Sequence, residues 1–363
     1  MRYTMENPFN PSFGKIPSIF LSRDLLKERI ITELNRKNTP FQTSLIYGQR
    51  GSGKTTLMSI INEELQASKD WIVIDLVLDN NLLTSLIDQL NQHLMKLKIN
   101  WKINFMGVEL SSASKDKIER SFQSLFEEAV TSLSNHGRKI LITIDEVHST
   151  PLLKKLISNY QLLIRKNLDV SLLMAGLPEN VSEIQNDDVL TFLLRANRII
   201  LNPLEKDTIK SSYKHIFEKA GFSISLETIL FMTKATQGFA YAFQLLGYYV
   251  WEAARDSKVV TIETVKKILD NYHNDLFRNV YFKIYQDFSK KEKEFVHAMV
   301  KTGHKDVKSK ELSLLMKKPA NYIAVYRRKL IDEQIITSSS YGYVRFQLPA
   351  FDEFVTEQLY FEE

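Results

Sequence analysis

Hydrophobic positions follow two alternating patterns up to residue 203 and the helical one alone from there to 276. Leu25, Leu26, Ile30, Ile31 and Leu34 share one face of a helix over 24–36. A short apolar strand, Thr43 to Tyr47, runs into a glycine-rich turn from Gly48 to Gly53, and the next helix carries Leu57, Met58, Ile60, Ile61 and Leu65. Apolar runs at Trp71–Val77, Lys139–Ile144, Val170–Ala175 and Arg198–Leu201 predict four more strands, with the density expected of strands covered on both faces. Helices are predicted between them over 82–98, around 115–135, and from Pro151 behind Ser149 or Thr150 as cap. Trp101, Ile103 and Phe105 alternate with polar residues, Gly107 interrupts, and Val108 and Leu110 resume, which predicts an inserted hairpin over 99–112.

After Pro203 no further strand of this kind is predicted. Helices fit 204–220, 225–236, 239–256 and 261–276, with Gly221 and Gly238 as breaks. The last segment opens on a capping box, Ser289 and Glu292, and its first helix stops at Gly303. Helices over 308–317 and 319–333 and strands at Ile335–Thr337 and Tyr343–Leu348 complete the pattern of a winged helix-turn-helix. Residues 1–22, rich in Pro, Phe and Asn, read as an extended leader. The expected organisation is a leader and first helix (1–38), a three-layer α/β domain around a parallel sheet (39–203), a helical lid (204–276), and a winged-helix domain with an acidic tail (277–363).

Composition narrows the chemistry. Of 363 residues 44% are hydrophobic and 25% charged, the balance of a globular chain. The absence of cysteine excludes disulfides, thiolate metal sites and a cysteine nucleophile, and fits a reducing cytoplasm. No run of 18 apolar residues suggests a membrane span, and the first residues lack the apolar core of a signal peptide. The net charge is +5, but residues 277–350 hold 15 Lys/Arg against 7 Asp/Glu, and residues 351–363 hold 5 acids and no base. A basic excess near one end is the footprint of a polyanion partner; a solvated lysine-rich face is the other reading.

Two motifs carry the chemistry. Gly48-Gln49-Arg50-Gly51-Ser52-Gly53-Lys54-Thr55, with Thr56 behind it, matches the phosphate-binding loop G-x-x-x-x-G-K-[ST]. Glycines let consecutive N–H groups turn inward toward phosphates, and the following helix adds its positive end. Lys54 is expected on the β- and γ-phosphates of ATP and the Thr55 hydroxyl on Mg²⁺. The strand 140–144 ends in Asp145-Glu146, which places Asp145 for Mg²⁺ and Glu146 as the general base toward the attacking water. Arg195 and Arg198, beside the fifth strand, are candidates for the arginine that neutralises the γ-phosphate, with surface ion pairing as the competing reading. His148 reads as part of the next helix's cap. On the expected recognition helix, Asn321, Tyr322, Arg327, Arg328 and Lys329 are candidate DNA contacts, with Arg345 on the wing; such modules also dock proteins.

Together, the phosphate loop, the Asp145-Glu146 strand end, the helical segment and the terminal winged helix resemble AAA+ ATPases of the origin-recognition type, P-loop proteins related to bacterial and archaeal replication initiators. The resemblance implies that Asn7-Pro8-Phe9 and Ile19-Phe20-Leu21-Ser22-Arg23 belong to the stretch lining the adenine pocket. Two positions depart from it. The first sensor should be polar, yet the fourth strand ends Met174-Ala175-Gly176; the second should be arginine, yet Tyr241 stands there. Slow hydrolysis is the expected consequence. The expected function is an ATP-binding, slowly hydrolysing switch in the cytoplasm that binds double-stranded DNA, with a homo-oligomer or a protein as further partner. The alternative is a STAND-like nucleotide-gated signalling, defence or mobile-element protein whose winged helix docks a protein.

Overall fold

The structure, a computed structural model, describes residues 6–12, 23–98 and 121–362. The hairpin predicted over 99–112, the start of the helix predicted around 115–135, and Ile19 to Ser22 lie outside them. The chain divides into two compact units, one built from residues 25–47 and 57–199, the other from the residues before Leu25, 48–56 and 200–363.

In the first unit the chain runs through α1 (Asp24–Asn35), β1 (Thr43–Tyr47), α2 (Lys54–Gln66), β2 (Trp71–Leu76), α3 (Leu82–Lys96), α4 (Phe122–Asn135), β3 (Lys139–Ile144), α5 (Pro151–Arg165), β4 (Val170–Gly176), α6 (Pro178–Gln185) and β5 (Asn197–Ile200). The sheet order is β2-β3-β4-β1-β5, and the pairs β2/β3, β3/β4 and β1/β4 are parallel. Strand alternation distributes the apolar residues to two faces. Ile72, Ile74, Ile140, Ile142, Leu172 and Met174 share one core with Leu86 and Leu90 of α3, Phe126 of α4 and Leu156 and Tyr160 of α5. On the opposite face Asn62 of α2 donates to the Thr143 hydroxyl at 3.0 Å, and Trp71 donates to Asn35 of α1 at 2.9 Å. Helices therefore cover both faces, as the apolar strands required. The register pairs Tyr47 with Gly176 and Ile144 with Met174, so β1, β3 and β4 end along one edge. Thr150, one of the two expected caps, accepts the Leu153 N–H at the start of α5. The short helix α6 escaped the periodicity because only two apolar residues, Val181 and Ile184, are buried in its eight.

The second unit contains α7 (Lys206–Lys219), β6 (Ser223–Ile224), α8 (Leu226–Thr236), α9 (Ala240–Ala253), β7 (Val259–Val260) and α10 (Ile262–Leu276). A π-helical turn (Phe277–Tyr281) carries α10 straight into α11 (Phe282–Asp287). Then come α12 (Lys290–Lys301), β8 (Val307–Lys308), α13 (Ser309–Met316), α14 (Ala320–Asp332), β9 (Ile336–Ser340), β10 (Tyr343–Phe346) and α15 (Phe351–Glu362). Three features differ from expectation. The stretch 204–276 is not helical throughout, since β6 and β7 form a two-residue parallel ladder too short to leave a pattern. The acidic tail is the helix α15, which buries Phe351, Phe354 and Val355. The helix read over 261–276 runs on past 276, with Phe277, Val280 and Tyr281 buried in one core that includes Ile209 and Val355. The leader joins that core through Phe9, whose ring packs against Tyr213, Phe217, Phe243 and Trp251.

Helix α12 starts at the expected capping box, with the Glu292 carboxylate accepting the Ser289 N–H at 2.7 Å. The same carboxylate is 2% exposed and pairs with Lys329 of α14. Burial alone raises the Glu292 pKa, but the Lys329 ammonium and the Ser289 donors outweigh it and hold the group below the ordinary carboxylate range. A lowered folded-state pKa makes this pair stabilising at neutral pH, with the contribution lost as pH falls through the lowered value. Glu292→Gln is expected to cost about 1–3 kcal/mol of stability and to flatten the acid limb of the melting-temperature profile. Calorimetric melts across the acidic range check this; an unchanged acid limb contradicts it.

Candidate functional site

Residues Gly48 to Lys54 form the turn between β1 and α2. Gly51 (φ 79°) and Gly53 (φ 90°) take the left-handed conformation that curls the loop, and Ser52 N–H closes it on Gln49 O at 3.0 Å. The Lys54 ammonium is buried and lies 2.9 Å from Gly48 O and 3.1 Å from Gln49 O, so the cation sits within its own loop. Thr55 is exposed and Thr56 half-buried at the start of α2. Glycines, a buried cation and a helix N-terminus make a donor set that suits a polyphosphate.

Three other segments grip this loop. The Arg23 guanidinium donates to Ser52 O at 3.2 Å and to Asn202 O at 2.9 Å, and burial lowers it to about 10, still protonated at neutral pH. From α9, the Tyr241 N–H donates to Gly51 O at 3.1 Å, and the Phe239 ring covers Gly51. From the turn after α14, Gln334 Oε1 accepts the backbone N–H of Gln49 and Glu333 O accepts from its side-chain Nε2. Sequence reading placed Arg23 near the nucleotide only by resemblance, and it missed Phe239, Glu333 and Gln334. No periodicity marks them, because each meets the loop from a position far from it in sequence.

Asp145 and Glu146 follow β3 in the other unit. Asp145 is half-buried, and its Oδ1 accepts the Glu146 N–H at 2.8 Å. Glu146 is exposed with φ 51°, a left-handed conformation that costs a non-glycine residue about 1–3 kcal/mol. The turn is held from below, since the next residue, Val147, is buried and donates its N–H to Ala175 O of β4 at 2.8 Å. The end of β4 thus contributes backbone where a polar side chain was expected. Tyr241 directs its hydroxyl elsewhere, accepting from Asn279 Nδ2 at 3.0 Å, and burial raises its pKa. Arg195 and Arg198 are both exposed, the latter on β5, and among the described residues neither makes an ion pair.

The candidate DNA contacts fall into two groups. Arg327 donates to the Ser338 hydroxyl at 2.9 Å and Lys329, though exposed, pairs with Glu292 and Glu333, so both are engaged within their own domain. Tyr322 is half-buried against Tyr326. Asn321, Arg328 and Arg345 are exposed, with Arg328 only 3.8 Å from Asp332 along the helix.

Residues 20–170 match the family described as an AAA ATPase domain, and residues 278–355 match a domain of unknown function (DUF8462). Among curated proteins none matches this sequence. Solved structures do. The Walker-type ATPase PABY2304 of Pyrococcus abyssi aligns with TM-score 0.67 at 14% identity, over 93% of this chain and 96% of that one. The Aeropyrum pernix ORC2 protein aligns with TM-score 0.62 at 12% identity in its ADPNP-ADP complexes, over 96% of this chain and 98% of that one. Its ADP form gives TM-score 0.51 at 14% identity, over 96% and 97%. At such identities the likeness is one of fold: a five-stranded parallel sheet between helices, of the AAA+ P-loop type.

The loop geometry separates its two curled glycines. A Cβ at Gly51 would meet the Phe239 ring at 2.7 Å, whereas one at Gly53 meets nothing within 4 Å. Gly51→Ala is expected to lose about 1–3 kcal/mol from backbone strain alone, plus the clash, while Gly53→Ala bears the strain only. Thermal denaturation without nucleotide measures both; equal losses contradict the packing of Phe239 on the loop.

Proposed function

We propose that this AAA-domain ATPase is an ATP-dependent switch that hydrolyses slowly and binds duplex DNA through residues 277–363. That the chain is an ATPase rests on the AAA ATPase domain matched over 20–170, which contains both the phosphate loop and Asp145-Glu146. In this reading Lys54 neutralises phosphate charge, Thr55 and Asp145 hold Mg²⁺, and Glu146 takes the proton from the attacking water. Arg198 or Arg195, exposed beside β5, serves a neighbouring copy of the chain. The nucleotides in the Aeropyrum pernix ORC2 structure, ADPNP and ADP, support ATP as the ligand here. Slow turnover follows from Met174-Ala175-Gly176 and from the engagement of Tyr241 with Asn279, which leave two sensor positions without a polar group for the γ-phosphate.

The C-terminal elements support a winged helix-turn-helix: three helices, α12 to α14, followed by the antiparallel ribbon β9/β10, with β8 as third strand. The observation that carries DNA binding is the exposure of Arg328 on α14 and Arg345 on β10, within residues 277–350, which hold 15 basic and 7 acidic residues. The reading accords with a cytoplasmic protein, and among the described residues no helix is long and apolar enough to cross a membrane.

Lys54→Ala is expected to remove ATP binding in calorimetry. Glu146→Gln keeps binding and slows hydrolysis by on the order of 10²-fold; a variant as fast as wild type rules Glu146 out as the base. The double substitution Arg328→Ala/Arg345→Ala should weaken duplex binding and lower the salt slope by roughly 0.9 for each phosphate no longer neutralised, read by fluorescence anisotropy at several salt concentrations. Should wild type fail to bind duplex at low salt, the second reading takes over. The exposed Leu314 (70%) of α13 and Val325 (62%) of α14 favour it: an apolar surface for a protein partner in a nucleotide-gated signalling protein.

A further inference from the structure

The contact between Gln49 and the turn after α14 joins residues 285 positions apart. It links the region matched as an ATPase domain to the region matched as a domain of unknown function. Gln334 ends α14 in a left-handed conformation (φ 59°), with its N–H on Ile331 O and the Ile335 N–H on Leu330 O, each at 2.9 Å. Its side chain reaches the phosphate loop, where Oε1 accepts the Gln49 N–H at 3.1 Å. Gln49 answers with both ends of its own amide. Nε2 donates to Glu333 O at 2.7 Å, and Oε1 accepts the Arg50 N–H at 2.8 Å. Gln49 is 7% exposed and Gln334 9%, so water does not replace these bonds when one partner is removed.

The consequence is geometric. The N–H groups of residues 49 and 50 are both committed to glutamine carbonyls, one from the C-terminal segment and one held in place by it. The direction in which the chain leaves Gly48 is therefore set by the turn after α14. The curl from Gly51 onward starts from that direction. Preorganised donors bind an anion without reorganising, so a loop freed at Gln49 binds polyphosphate less well.

We propose that Gln334 is a positioning residue for nucleotide binding, through which the C-terminal segment holds the phosphate loop. Docking of that segment and occupation of the loop by ATP then favour one another, and by linkage a ligand that displaces α14 lowers ATP affinity by the factor by which ATP opposes that ligand. The proposal rests on the loop being the nucleotide site. Lys54→Ala tests that premise separately: if it leaves ATP binding intact, the premise fails whatever Gln334 does.

The test replaces Gln334 in the full chain by methionine, close in shape but without an acceptor oxygen. Gln334→Met should weaken Mg²⁺-ATP binding about ten-fold, the range expected for one buried donor left unpaired, with KM raised and kcat little changed. Hydrogen exchange read by mass spectrometry should quicken in the peptide over 48–51 and stay unchanged over 309–332. Gln334→Glu, which keeps an acceptor for the Gln49 N–H, should restore slow exchange at 48–51. Wild-type ATP affinity and wild-type exchange at 48–51 in Gln334→Met overturn the proposal. If that variant unfolds its own domain, Gln49→Ala breaks the bond to Glu333 O from the loop side. It should then quicken exchange across 333–336, and an unchanged rate there overturns the proposal equally.

Discussion

A phosphate-binding loop has no strand or helix partner for most of its backbone, so its N–H and C=O groups must be satisfied by whatever the fold brings to it. Here that requirement organises the second unit. Ser52 O is taken by Arg23 of the leader, Gly51 O by the N–H of Tyr241 at the start of α9, and the Gln49 N–H by Gln334 after α14. The loop's own Lys54 caps Gly48 O and Gln49 O. Leader, helical segment and C-terminal segment each contribute to holding one short turn, and they share one hydrophobic core with Phe9 at one limit and Val355 at the other.

This anchoring bears on the switch proposed above. On the proposed reading, the positions where a charged or polar side chain would sense the γ-phosphate hold backbone and packing instead. Ala175 O holds the residue after Glu146, and Phe239 packs on Gly51. Interactions of that kind set shape and do not respond to the charge of a leaving phosphate. In the proposed function, a site built on them holds a nucleotide and reports its presence through the segments that grip the loop, as a switch does.

The C-terminal segment shows why a charge count is a poor guide to a binding face. Of three consecutive cations on α14, Arg327 and Lys329 are used to brace α14 against β9 and α12, Lys329 while still exposed, and Arg328 is the most exposed of the three. Steps of about 100° along a helix dictate that division. The bracing pair also explains the capping box of α12, since Glu292 caps its own helix with one oxygen and holds Lys329 with the other.

The order of strands and helices, the phosphate loop and the Asp145-Glu146 strand end were legible because each depends on neighbours in sequence. Apolar runs identify buried strands, glycines at fixed offsets permit a curl, and caps such as Thr150 and Ser289 act within three residues. Elements too short for a period, such as β6, β7 and β8, left no such trace. The acidic tail read as charge although its buried face makes it a helix, α15. What only the tertiary structure decided is which distant groups meet the loop. A glutamine at position 334 carries no pattern of its own. Its role comes from the turn after α14 reaching Gln49 across 285 positions, and from the burial of both side chains. Local chemistry determined where a phosphate could bind, and long-range packing determined what else would be tied to it.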